Sequence, residues 1–166
     1  MDLGSLQSLL ASVAGVRVAC VGDVMVDRFV YGEVTRTSPE APVPVLARTR
    51  DIAMLGGAGN VARNVASLGG VAALAGVIGD DAAANEALGM IGADAGMEGH
   101  LVPERGRPTT VKTRYVAAGQ QLLRVDSEEA RPVGQEAEAK LLGAVRHAAG
   151  GAGAILLSDY GKGAVT

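Results

Sequence analysis

Tryptophan is missing from this chain, and its aromatic residues amount to one phenylalanine and three tyrosines. Stacking on nucleic-acid bases needs aromatic faces, and gripping their phosphates needs a basic stripe. The 15 Lys and Arg are scattered among 18 Asp and Glu, for a net charge of −3. No nucleic-acid partner is expected. The single cysteine, Cys20, excludes an internal disulfide and a thiolate metal cluster, and its place in the run Val16–Val21 reads as a buried strand position. His100 and His147 have no second ligand at metal-binding spacing, so no metal site is expected from them. The longest weakly charged stretch, Val65–Gly79, is broken at Gly69-Gly70 and falls short of the roughly 20 apolar residues a membrane helix needs. The N-terminus lacks a basic segment followed by an apolar one, so no secretory signal is read, and a cytoplasmic location without a membrane partner is expected.

What is present is material for one folded domain: 48% apolar and 20% charged residues over 166 positions. Leu6, Leu9, Leu10 and Val13 recur at helical spacing before Gly15, and a strand follows from Val16 to Val21. From Phe29 to Met54 three prolines interrupt a Thr-rich and charged region, which predicts edge strands projecting from the main sheet. Val61, Val65 and Leu68 mark a helix ended by Gly69-Gly70, and Val71–Ile78 reads as a second buried strand. A helix over 82–93 capped by Asp80-Asp81, a short strand over 99–102, and a hairpin over 109–126 turning near Ala118-Gly119 come next. A helix over 135–149 precedes a last strand, Ala154–Ser158, whose outer edge is expected to be apolar, unpaired and prone to association. Strands alternating with helices call for an α/β fold with a parallel sheet and right-handed crossovers. Ligands in such sheets bind beyond the carboxyl ends of the strands, where Asp23, Asp27, Asn60, Asp80, Asp159 and Lys162 would gather.

Several motifs carry chemistry. Gly22-Asp23-Val24-Met25-Val26-Asp27 sets carboxylates where a strand leaves the sheet, and a carboxylate accepts hydroxyl hydrogen bonds from a sugar. Taken alone, the pair is equally read as one capping and one solvated aspartate. Leu55-Gly56-Gly57-Ala58-Gly59-Asn60 lets a ligand approach the backbone and offers Asn60 from a first helical turn, or is simply a Gly-rich turn. Its spacing matches neither the dinucleotide nor the P-loop fingerprint. Lys112 and Arg114 share one strand face, with Arg124 and Gln121 on the return strand; such a group holds a phosphate or is merely solvated. Ser158-Asp159-Tyr160-Gly161-Lys162-Gly163 places an acid and a cation at the same sheet edge.

Taken in order, these runs, together with Ser38-Pro39-Glu40-Ala41-Pro42-Val43-Pro44 and Gln120-Gln121-Leu122-Leu123-Arg124-Val125-Asp126, resemble PfkB/ribokinase-type carbohydrate kinases over nearly the whole chain. Within that family the last two strings resemble the kinases of heptose 7-phosphate. The resemblance implies a ribokinase-like, Rossmann-type layered sheet with a small β lid from about 29–54 and 109–126. It implies that residues 1–166 are the N-terminal part of the kinase domain, with the C-terminal half of the fold absent. By the same resemblance Asp27, Gly56, Gly57, Asn60 and Asp159 would contact the sugar, Lys112, Arg114, Gln121 and Arg124 its phosphate, and Lys162 would lie near the transferring phosphate.

The reaction so implied transfers the ATP γ-phosphate, with Mg2+, to the anomeric hydroxyl of D-glycero-D-manno-heptose 7-phosphate, giving the 1,7-bisphosphate on the route to ADP-heptose and lipopolysaccharide core. The family's catalytic Asp belongs to a Gly-Ala-Gly-Asp motif of its second half, and no such run occurs here. By the resemblance that Asp lies beyond Thr166. No catalytic residue is therefore expected in this chain, and it is expected to be inactive alone. A homodimer through the lid and a further nucleotidyltransferase domain in the parent protein are the implied partners. Two other readings stay open: a kinase of this family for another sugar or sugar phosphate, and a non-catalytic sugar-phosphate-binding module.

Overall fold

The computed structural model describes residues 2–165, so Thr166, the position beyond which the catalytic Asp is expected, lies outside the described residues. The elements are α1 (Leu3–Val13), β1 (Arg17–Gly22), β2 (Val24–Thr37), β3 (Pro44–Gly57), α2 (Ala58–Ser67), β4 (Val71–Ile78), α3 (Ala82–Gly92), β5 (Met97–Pro103), β6 (Thr110–Ala117), β7 (Gln120–Ser127), α4 (Gln135–Ala149) and β8 (Ala154–Ser158). They build two four-stranded sheets, ordered β5-β4-β1-β8 and β3-β2-β6-β7.

The first sheet is parallel throughout. Its period-2 alternation sends Cys20, Ala72 and Leu74 to one face, against Ala62 of α2 and Ala84, Ala87 and Ile91 of α3. Ala19, Val21, Ala73 and Ala75 point the other way, toward Ala148 of α4, while Val77 and Val102 meet Ala137 and Leu141 of the same helix. Small residues at this contact let α4 lie close to the strands. All four strands end on one edge, so residues 23, 79, 104 and 159 follow one another around it.

The second sheet mixes directions: β2 runs antiparallel to β3 and parallel to β6, and β6 and β7 form a hairpin. Val24, Val26 and Leu55 at its near end join the core with α2 and α3, and an Arg28–Glu86 ion pair ties β2 to α3. Here the expectation of edge strands over 29–54 needs correction. Three prolines do not flatten the region into short edges, because Pro39 and Pro42 fall in the turn and Pro44 opens β3. β2 therefore runs 14 residues as an internal strand between β3 and β6. The hairpin turns at Ala118-Gly119, both with positive φ.

Two surfaces stay apolar and uncovered among the described residues. On α1, Leu3, Leu6, Leu9 and Leu10 are exposed, and on β8, which pairs only with β1, Ile155 and Leu157 are more than half exposed.

Candidate functional site

The exit of β1 is fixed by Asp23, 3% exposed. Its Oδ2 accepts the backbone N–H groups of Tyr160 and Lys162 at 2.8 and 3.0 Å, and its Oδ1 that of Ala164 at 3.1 Å. This carboxylate is engaged by three backbone donors and anchors the loop after β8. Arg107, also buried, donates to the carbonyls of Glu129, Arg131, Pro132 and Lys162. Lys162 is thus held at its N–H by Asp23 and at its carbonyl by Arg107, leaving its side chain as the movable part.

Asp27 sits in β2 on the face opposite the core, half-buried, and its Oδ1 accepts a 2.5 Å hydrogen bond from Arg114 Nη1. Arg114 also lies over the Phe29 ring, 5.1 Å from its centroid. Across the ladder Gly56 pairs with Met25, and a Cβ there would overlap Asp27 Oδ2 and Met25 Cγ. Glycine alone leaves the Asp27 carboxylate its room. Gly57, with φ of 56°, turns the chain directly into α2, and a Cβ on it would strike the Asp23 carbonyl. Asn60 follows in the first turn of α2, where its Oδ1 accepts from Arg63 at 3.2 Å.

The hairpin register sets Arg114 opposite Arg124 and Lys112 opposite Asp126, so all four share the face that carries Asp27. Two acids link these cations. Asp126 takes Lys112 Nζ at 2.9 Å and Arg124 Nε at 2.9 Å, and Glu128 takes Lys112 Nζ and Lys162 Nζ, both at 2.8 Å. The Lys112 ammonium beside Glu128 and Asp126, and the Lys162 ammonium beside Glu128, hold both carboxyls below the usual range. Burial pushes the Lys112 ammonium down, and its bonds to Glu128 and Asp126 more than reverse that, so it ends raised.

The expected residues therefore divide. Asp27, Gly56 and Arg114 meet directly, and Lys112, Arg124 and Lys162 are joined through Asp126 and Glu128. Gln121 shares their face but pairs with Val116, four residues beyond Lys112 and thus about 13 Å along the strand. Asp159 is exposed and caps its own turn, accepting from Gly161 N–H at 2.8 Å. Asp80 lines a separate concavity of about 600 Å3 with Glu104, Arg105, Gln135 and Lys140.

Sequence reasoning missed Glu128 and gave no role to Asp126, although acids alternating with cations on facing hairpin strands signal such pairing. It also missed Asp81, whose carboxylate receives the Thr109 N–H at 2.8 Å and hydroxyl at 2.7 Å and so fixes the start of β6. Burial pushes the Asp81 carboxyl up, but the bonds from Thr109 and Ala84 outweigh it, leaving it below its ordinary value.

The family model for pfkB family carbohydrate kinases matches residues 16–158. The chain belongs to the PfkB family. Among its PfkB relatives, the bifunctional protein HldE of Hyphomonas neptunium is 53% identical over 97% of this chain and 33% of its own length. HldE of Paramagnetospirillum magneticum is 48% identical over 98% and 33%. The chain thus spans about a third of the length of these curated relatives. Among solved structures, phosphofructokinase-2 of Escherichia coli in complex with fructose-6-phosphate aligns with TM-score 0.65 at 20% identity, covering 89% of this chain and 47% of that one. Arabidopsis thaliana ribokinase complexed with ribose and ATP aligns with TM-score 0.59 at 18% identity, over 86% and 45%. These two likenesses show the ribokinase-like α/β fold.

Proposed function

We propose that the chain is the sugar-recognising part of an ATP-dependent kinase that phosphorylates the anomeric hydroxyl of D-glycero-D-manno-heptose 7-phosphate. The observation that carries this reading is one polar face bearing a carboxylate in a glycine-cleared space, Asp27 beside Gly56, next to a cationic group, Lys112, Arg114, Arg124 and Lys162. A sugar phosphate needs both: hydroxyl acceptors at one end and an anion seat at the other. Asp27 and Asn60 accept and donate to ring hydroxyls, Gly56 and Gly57 admit the ring to the backbone, and the hairpin cations take the 7-phosphate. Asp159 and Lys162 face the same edge from the loop after β8. Gln121, farther along β7, reaches a ligand only if the hairpin bends over it.

The second sheet, carrying 29–54 and 109–126, acts in this reading as a lid. Its exposed Leu122, Leu123 and Val125 offer a contact to a second copy. The relatives named HldE are called bifunctional, which supports a further nucleotidyltransferase domain in the parent protein. ATP with Mg2+ supplies the transferred phosphoryl group in the whole kinase. The described residues contain no cluster of three or more His, Cys, Asp or Glu fit to hold a metal ion, so no step is routed through one here. The absence of a Gly-Ala-Gly-Asp run supports a chain that binds sugar phosphate without transferring phosphate by itself, the catalytic Asp being supplied in this reading by sequence beyond Thr166. A cytoplasmic location fits a chain in which no described helix is long and apolar enough to cross a membrane.

Titration calorimetry with D-glycero-D-manno-heptose 7-phosphate, the unphosphorylated heptose, fructose and ribose tests this. The phosphorylated heptose is expected to bind tightest, and Asp27→Ala to weaken it at least tenfold, as loss of a charged hydrogen-bond partner does. Equal binding of ribose or fructose would replace the heptose by another sugar, and no binding of any would remove the reading.

A further inference from the structure

The four cations expected to face the phosphate are not waiting for an anion: each already has a carboxylate partner on the protein. Arg114 has Asp27, Arg124 has Asp126, Lys112 has both Asp126 and Glu128, and Lys162 has Glu128. Among these acids, Glu128 alone joins the hairpin to the loop after β8, which makes it a single anion held between two ammonium groups from distant parts of the chain. A phosphate oxygen would make the same two contacts.

Asp126 and Glu128 differ in their freedom to leave. Asp126 lies within β7, in register with Lys112. Glu128 lies just beyond the end of β7, with a side chain 26% exposed and one methylene longer. The backbone that follows is clamped, since Arg107 holds the carbonyls of Glu129 and Arg131. A swing of the Glu128 side chain therefore frees Lys112 and Lys162 while the main chain stays put.

We propose that Glu128 is a specificity-determining residue that fills the phosphate seat in the free protein and is displaced by the phosphate of the ligand. This rests on the sugar-phosphate reading above. A neutral sugar cannot displace it, so Lys112 and Lys162 stay occupied unless the ligand carries an anion able to replace both contacts. The pair also joins hairpin and loop, so the ligand phosphate inherits that bridge when it takes the place of the carboxylate.

The test compares heptose 7-phosphate, inorganic phosphate and unphosphorylated heptose on the wild type and on Glu128→Gln by calorimetry. Removing the competing charge is expected to tighten both phosphate ligands about fivefold and leave the unphosphorylated heptose unchanged. If the wild type binds heptose 7-phosphate but the variant binds it equally or more weakly, the displacement is refuted while the sugar-phosphate reading stands. If neither protein binds it, both fall. Should the variant not fold, 13C NMR of the wild-type glutamate carboxyls keeps the question decidable. Inorganic phosphate is expected to shift the Glu128 signal away from its lysine-paired position, and an unmoved signal at saturation refutes the proposal.

Discussion

The two sheets are held by different forces. In the parallel sheet β4 is Val-Ala-Ala-Leu-Ala-Gly-Val-Ile, without a charge, and helices cover both of its faces. In the second sheet the outer face of β6 and β7 is a lattice of ions, and every residue of β7 is exposed. Apolar burial is strong, nondirectional and insensitive to salt, whereas exposed ion pairs are weak singly but sensitive to any competing anion. A rigid parallel sheet beside a second sheet whose charges can change partners suits a protein that must hold a sugar's place and respond to its phosphate.

The largest effect that would sharpen this contrast comes from the apolar side. Leu74 is 0% exposed at the centre of β4. Leu74→Ala is expected to destabilise by about 2–5 kcal/mol through lost burial and the cavity left behind. Leu157, on the edge strand β8, is 64% exposed, so Leu157→Ala is expected to cost less than about 0.5 kcal/mol. Urea unfolding of both variants checks the pair, and equal losses would break the picture of a core centred on β4.

A smaller effect is expected where the two regions meet. Asp23→Asn keeps one acceptor oxygen but turns an amide N–H2 toward one of the three backbone donors that the carboxylate serves. At least one buried N–H loses its partner, at a cost of about 1–3 kcal/mol. Faster hydrogen exchange at Tyr160, Lys162 and Ala164, with β4 amides unchanged, is the expected reading. A change spread across both sheets would show that Asp23 supports the whole fold rather than one loop.

These contrasts also mark where the sequence was legible. The helix over 135–149 is found as read, because alternating charge and apolar spacing with Gly134 and Gly150 at its ends leave one solution. The β4 run and the hairpin turn at Ala118-Gly119 follow equally from local pattern. The placement of β2 inside its sheet does not, since neighbours β3 and β6 lie far apart in the chain and local proline content argued for an edge. Asp27, Gly56 and Arg114 were each picked out, but their meeting depends on two ladders with different registers. Asp23 was read as either a cap or a ligand, and only its burial decides for an anchor. Glu128 escaped notice because its partners, Lys112 and Lys162, lie 16 and 34 residues away.

The smallest effect separates the sheets by pH. Glu128 and Asp126 have depressed carboxyls, so the stability they add is present above their ordinary values, near 4, and lost as pH falls through the lowered ones. The Lys112 ammonium is raised, so its share is present below about 10.4 and lost as pH climbs through the raised value. The lattice is therefore intact across the neutral range and fails first on the acid side. The central stretches of β1 and β4, Val18–Val21 and Ala72–Val77, hold no acid or base other than the buried Cys20 and feel none of this directly. Hydrogen exchange at pH 7 and pH 3, corrected for intrinsic rates, should show protection falling in β6 and β7 while β1 and β4 keep theirs. Half-molar salt at pH 7 should move β6 and β7 in the same direction by less, since screening weakens the pairs without discharging them. Uniform loss in both sheets at pH 3 would mean that the lattice is not separable from the core.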